Sequence, residues 1–137
     1  MRERHVLSEL DRLRLRELLV DLRASGRAHA DHVALLGRRL REARVVEQQH
    51  VPRDVITMNS MLAVRDLEVG ERWRCTLAYP QDADLLDRRV SVALPLGAML
   101  LGQRVGDTVA CPAGSGERRL RIERLYYQPE ASGHFHL

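Results

Sequence analysis

The sequence predicts an α+β fold: a short antiparallel two-helix hairpin over residues 1–50, then a domain of mostly antiparallel strands with one short helix over 51–137. Three observations carry this. Apolar residues recur at helical spacing as far as Ala43; Gln48-Gln49-His50-Val51-Pro52 forms a polar, proline-marked hinge; and beyond it the apolar period becomes alternating.

Ser8-Glu9-Leu10-Asp11 has the form of a capping box, with Asp11 at the third helical position. Leu15, Leu18, Leu19 and Leu22 follow on one face, so a helix is expected from about Glu9 to Arg23. Ser25-Gly26 breaks the pattern. Helix resumes by about Ala30, where Val33, Leu36, Leu40 and Ala43 make an a/d seam two heptads long. Two such helices joined by a tight turn form an antiparallel hairpin about 24 Å long. Periodicity leaves open whether it packs on its own domain or projects as an arm.

After the hinge, Met61 to Asp66 reads as a strand and Glu68-Val69-Gly70-Glu71 as a turn. Trp73, Cys75, Leu77 and Tyr79 share one face of a second strand, with Arg72, Arg74 and Thr76 on the other. Val90 to Leu94 is a third strand running into Pro95-Leu96-Gly97, and Pro95 can begin a short helix, Ala98 to Leu101, that Gly102 closes. Asp107 to Cys111 and Arg118 to Tyr127 form a hairpin across Gly114-Ser115-Gly116.

Composition excludes several classes of function. All 22 basic residues are arginine, yet residues 1–54 hold twelve Arg against nine acids and residues 55–137 hold ten of each. Interleaving of this kind is not a nucleic-acid footprint, so no tight binding to free nucleic acid is expected. Cys75 and Cys111 are too few for a disulfide framework or zinc site and read as inert thiols. His134-Phe135-His136 lacks a third ligand and is not expected to hold a metal. No apolar run approaches the roughly 20 residues needed to span a membrane, and a cytoplasmic location is expected.

From about Leu40 onward the chain resembles the Gre-factor superfamily of bacterial transcription regulators, and within it the Rnk branch, the regulators of nucleoside diphosphate kinase. The resemblance rests on Leu40-Arg41-Glu42-Ala43, Val55-Ile56-Thr57-Met58-Asn59-Ser60, Asp66-Leu67 with Gly70-Glu71, and Pro95-Leu96-Gly97. Leu101-Gly102 with Gly106-Asp107 and the tail Tyr127-Gln128-Pro129-Glu130-Ala131 complete it. It implies an FKBP-like C-terminal domain, an N-terminal coiled coil, and docking on RNA polymerase at the mouth of the secondary channel.

Gre factors that stimulate transcript cleavage carry two acids in the coiled-coil tip, which place a second magnesium ion in the polymerase active site. Magnesium requires hard oxygen ligands. Here the tip is Arg23, Ser25, Gly26 and Arg27, without a carboxylate. The expectation is therefore a non-enzymatic regulator, without cofactor or catalytic metal, that competes with Gre-type factors at the channel entrance. The alternative is a cleavage factor using Asp21 and Asp31, which flank the turn; a prolyl isomerase is a further alternative from the FKBP-like fold alone. Leu94-Pro95-Leu96-Gly97 matches the family's Ser-Pro-Ile/Val-Gly turn and is the expected polymerase contact, although Leu94 replaces the serine. Thr57, Met58, Asn59 and Ser60 are expected to form the joint between arm and domain. A monomer is expected, with the leucine seam leaving a dimer open.

Overall fold

The computed structural model describes residues 5–26, 30–113 and 116–137, with the side chain of Ala113 outside the description. The elements run β1 (Val6–Ser8), α1 (Glu9–Ser25), α2 (Ala30–Glu42), β2 (Arg44–Val46), β3 (Met61–Asp66), β4 (Arg72–Ala78), β5 (Arg89–Ser91), α3 (Pro95–Leu100), β6 (Thr108–Ala113) and β7 (Gly116–Tyr127). Short 3-10 turns cover Gln48–His50 and Pro80–Asp82. The arrangement is α+β, as the sequence indicates.

The helices begin and end where local chemistry directs. Ser8 caps α1, its Oγ accepting from the Asp11 amide at 3.1 Å. Gly26 closes the same helix in the left-handed region at φ 65°, donating to the Leu22 carbonyl. On α1 Leu15 and Leu19 are buried, and on α2 Val33, Leu36, Gly37 and Leu40 are buried. The missing Cβ of Gly37 faces Arg23 and Leu19, which sets the two helices side by side.

Two strands flank the hairpin that helical periodicity does not reveal. β1 and β2 pair in parallel, Val6 with Arg44 through Ser8 with Val46, tying the start of α1 to the end of α2. Each has three residues, too few for an alternating pattern to register. The hinge read at Gln48–Pro52 contains an ordered turn, in which His50 N donates to Glu47 O at 2.9 Å.

The larger sheet has the order β5-β4-β3-β7-β6. Strand β7 enters between β3 and β6, antiparallel to both, with bulges against β3 on either side of Leu62 and Ala63. The third strand is shorter than expected and runs parallel to β4. Its pairing stops at Ser91 because the Leu94 amide turns back to the Ser91 carbonyl at 3.1 Å. Edge strand β6 contains Pro112, a position open to proline because no further strand needs its missing N–H.

One hydrophobic cluster joins the helices to the sheet. It contains Leu15, Leu19, Leu36 and Leu40 together with Ile56, Met58, Leu62, Leu77, Leu100 and Ile122. The hairpin therefore lies on the sheet domain rather than standing clear of it. Further contacts hold it there: Arg39 donates to the Ala98 carbonyl of α3, and Arg14 to the His136 carbonyl near the C-terminus.

Two glycine substitutions should separate packing from helix propensity. A Cβ on Gly97 would lie 2.0 Å from the Ser91 carbonyl oxygen, which is backbone and cannot yield. Gly97→Ala should cost about 1–3 kcal/mol or more. A Cβ on Gly37 meets only the flexible end of Arg23 at 3.2 Å. Gly37→Ala should be neutral or stabilise by up to about 1 kcal/mol. Chemical denaturation of both variants checks the contrast.

Candidate functional site

Three regions carry the sequence-derived sites: the turn before α3, the far end of the hairpin, and the loop between Thr57 and Ser60. The turn before α3 is rigid. Ser91 Oγ accepts from the Ala93 amide, Leu94 O accepts from the Ala98 amide, and Gly97 lies tight against Ser91. Leu94 occupies the N-cap without a side-chain cap bond, and Pro95 follows at the first helical position, where its missing N–H costs nothing. The result is a fixed corner with Leu94 at 48% exposure.

That corner meets the hairpin. Leu94, Ala93, Pro80 and Gln81 line one side of an open groove of about 970 Å³, and Leu18, Asp21, Leu22 and Ser25 line the other. The expected docking turn and the last turn of α1 therefore share one surface. Ser25 Oγ donates back to the Leu22 carbonyl. Arg23 points to the opposite side, into a groove with Arg12, Arg16, Gly37 and Arg41. Arg27 lies outside the described residues. Asp21 faces the sheet domain from α1, while Asp31 sits in the first turn of α2, where a carboxylate suits the helix dipole.

The loop before β3 is a buried polar junction. Thr57, Met58 and Ser60 are fully buried, and Asn59 takes the left-handed conformation at φ 67°. Ser60 Oγ accepts from the Thr57 amide, and Thr57 Oγ1 donates to Glu130 Oε1 at 2.7 Å. Asp11 completes the junction from α1, its Oδ2 accepting from the Met58 amide at 3.0 Å. Sequence reasoning placed Asp11 in a reciprocal capping box. The structure forms only the Ser8 half, because the Asp11 carboxylate reaches across to the loop before β3 instead.

Burial pushes the Asp11 carboxyl up from its ordinary value to about 7, against the lowering effect of the Met58 amide, with Glu130 raising it further and Arg14 lowering it. The nearby Tyr79 phenol is also pushed up by burial and by Asp11. Asp11 and Glu130 were not legible as site residues, since a lone Asp in a first helical turn and a Glu in a tail have commonplace explanations.

The remaining candidates are dispersed. His134 Nδ1 bonds to the Tyr127 hydroxyl, whereas His136 offers its carbonyl to Arg14. Among the described residues no group of three or more His, Cys, Asp or Glu side chains is arranged to hold a metal ion. Cys75 is buried and its thiol pushed up to about 12, and burial likewise raises Cys111. Among the same residues no helix is long and apolar enough to cross a membrane.

The helical hairpin thus lies on the core face of a five-stranded sheet, with the Leu94-Pro95 corner beside its far end. Residues 49–127 match the family described as transcription elongation factor, GreA/GreB, C-terminal, and the chain belongs to that family. It is 36% identical over 131 residues to the regulator of nucleoside diphosphate kinase of Escherichia coli (strain K12), covering 95% of this chain and 94% of that protein. It is 35% identical over 83 residues to transcription elongation factor GreA of Thermotoga sp. (strain RQ2), covering 61% of this chain and 53% of that one. Among solved structures, the prokaryotic transcription elongation factor GreA/GreB from Nitrosomonas europaea superposes with a TM-score of 0.75 at 31% identity, over 92% of this chain and all of that one.

The buried carboxyl makes a pH prediction. With its folded value raised, Asp11 keeps a proton in the native chain that the unfolded chain releases above pH 4. At this group the native state then binds more protons than the unfolded state, so the Asp11 contribution to stability falls as pH rises from about 4 to about 7 and levels off above. Near pH 4 it is opposed by Asp66 and Glu123, which are shifted downward. Urea midpoints at pH 5, 6, 7 and 8 should show this decline. Asp11→Asn, which keeps an oxygen for the Met58 amide, should show a flatter profile over the same range.

Proposed function

We propose that the protein is a non-enzymatic transcription regulator that docks on RNA polymerase at the secondary-channel entrance. It competes there with Gre-type factors and does not stimulate transcript cleavage. In this reading residues 51–137 form an FKBP-like docking body and residues 1–50 a short coiled-coil hairpin packed on it. The observation that carries it is the hairpin's end, combined with family membership. The residues from Ala24 to Ala30 include no carboxylate, and Asp21 lies back in a groove against Pro80, Gln81 and Leu94. A metal carried into a distant active site needs oxygen ligands at the leading end of an arm. Here the neighbouring charges are Arg23 and Arg27, which would repel it.

The rigid Leu94-Pro95-Leu96-Gly97 corner supplies the docking contact in this reading. An exposed leucine followed by a proline on a fixed turn gives up little conformational entropy when a partner covers it. The loop at Thr57, Met58, Asn59 and Ser60 sets how the hairpin lies on the sheet through the Asp11 and Glu130 contacts. Prolyl isomerase activity has less support. On the two grooves beside the sheet-facing side of α1, Tyr79 is the single Phe, Trp or Tyr side chain. A ring-lined proline pocket needs more than one.

A stalled, backtracked polymerase complex tests the reading. The protein alone should leave the transcript length unchanged, and in excess it should suppress shortening by an added cleavage factor. Shortening by the protein alone that disappears in Asp21→Asn or Asp31→Asn would establish the cleavage-factor alternative instead. Leu94→Glu should weaken binding to core polymerase at least tenfold, or by about 1.4 kcal/mol, while leaving the melting temperature within a few degrees of the parent.

A further inference from the structure

Residues 55–137 carry equal numbers of arginines and acids, yet the fold does not distribute them evenly. Helices and core occupy one face of the five-stranded sheet, where Leu62, Val64, Cys75, Leu77, Leu120 and Ile122 are buried. Strand alternation sends their neighbours to the other face. Register then sets Arg65 beside Arg72 and Arg121, and Ala63 beside Arg74 and Arg124. Arg119 lies two residues along β7 from Arg121, opposite Ala110 of β6. Six arginines thus share the open face. The carboxylates on the same strand positions are Glu123, which is engaged by Arg65 at 2.8 Å and Arg72 at 3.1 Å, and Glu117 at the far end of β7. Tyr126 lies among them at 44% exposure, with the guanidinium of Arg74 5.1 Å and that of Arg124 5.7 Å from its ring centre.

We propose that this open sheet face binds single-stranded nucleic acid, with Arg74, Arg119, Arg121 and Arg124 on phosphates and Tyr126 as a stacking platform for a base. Arginines two residues apart on one strand are about 7 Å apart, and Arg74 and Arg124, on the two strands either side of β3, are about 10 Å apart. That spacing suits a flexible, repeating phosphate chain. The guanidinium groups of Arg74 and Arg124 lie over the Tyr126 ring, and in moving onto phosphates they would free its face for a base. A protein partner would need an apolar centre to bury. The apolar groups on this face are few: Ala63 is only 1% exposed, and Met61, at 39%, lies at the end of β3 beside Tyr127. The neutral total over residues 55–137 conceals the face because most of the acids lie elsewhere: at the end of β3 and the turn after it, with Asp66, Glu68 and Glu71, and in the loop at Asp82, Asp84 and Asp87. Binding of this kind is electrostatic, sequence-independent and weak at physiological salt. It is independent of docking on polymerase.

Fluorescence anisotropy of a labelled twelve-nucleotide oligo(U), with no polymerase present, tests it. Four phosphate contacts give a slope of log affinity against log salt near −2.8, or about a fifty-fold weakening between 50 and 200 mM. Arg119→Glu with Arg121→Glu should lower affinity at 50 mM at least tenfold and flatten the slope. Tyr126→Ala should lower affinity about fivefold or more. Arg12→Glu with Arg16→Glu, on the hairpin, should change it less than twofold. Circular dichroism confirms folding, and Arg119→Gln with Arg121→Gln replaces the reversal should the Glu pair unfold. The proposal is overturned if no saturable binding occurs at 50 mM salt, or if the hairpin pair loses as much affinity as the sheet pair. Displacement of the oligonucleotide by polyglutamate at equal charge concentration would also overturn it, marking the face as a surface for acidic protein.

Discussion

The placement of the helical hairpin on the sheet turns on one buried carboxylate. Asp11 leaves the first turn of α1, takes the Met58 amide, and stands beside the Thr57, Ser60 and Glu130 network that closes the C-terminal tail. Without it the Met58 amide would be a buried donor with no acceptor, a loss of about 1–3 kcal/mol. Burying a carboxyl in this position opposes its ionisation, and the structure answers with a raised proton affinity, not with a buried cation. The polar junction therefore orders the loop before β3 while the leucines around it supply the cohesion. Gln128 reinforces it from the tail, donating through one nitrogen to the carbonyls of Pro52 and Val55.

Most of the secondary structure was written in local patterns. Helical spacing of Leu15, Leu19, Leu36 and Leu40, with Ser8 before and Gly26 after α1, marks both helices. Alternation marks β4 and β7 because each turns one face to the core, whereas β3, central in the sheet, is buried at Leu62, Ala63 and Val64 in succession. What escaped was non-local. The parallel pairing of β1 with β2 joins segments separated by the whole hairpin, and three residues contain no period to detect. Insertion of β7 between β3 and β6 is a choice among topologies that leave the same alternation in the sequence. The reach of Asp11 across to Met58 depends on how two elements dock, which no spacing within either element encodes.

The site residues divide the same way. The proline corner at Leu94-Pro95 was readable because proline and glycine fix the backbone locally. Its proximity to Ser25 and Asp21 was not, because the groove between them is formed by the docking of α1 along the loop that precedes β5. Charge shows the strongest version of this effect. Summing along a chain discards which face each residue occupies, and a sheet sorts alternate residues into opposite hemispheres.

The sheet's two outer strands bear on how the chain can associate. β5 offers only three residues, and β6 is interrupted by Pro112. A stray strand seeking to lengthen the sheet would find a ladder too short to hold on one side and a proline in the ladder on the other. The molecule is thus insulated against edge-to-edge growth, the route by which open sheets seed fibrils. Any partner must be met through side chains on its faces and corners, where shape and charge discriminate, and not through backbone hydrogen bonds that accept any sequence.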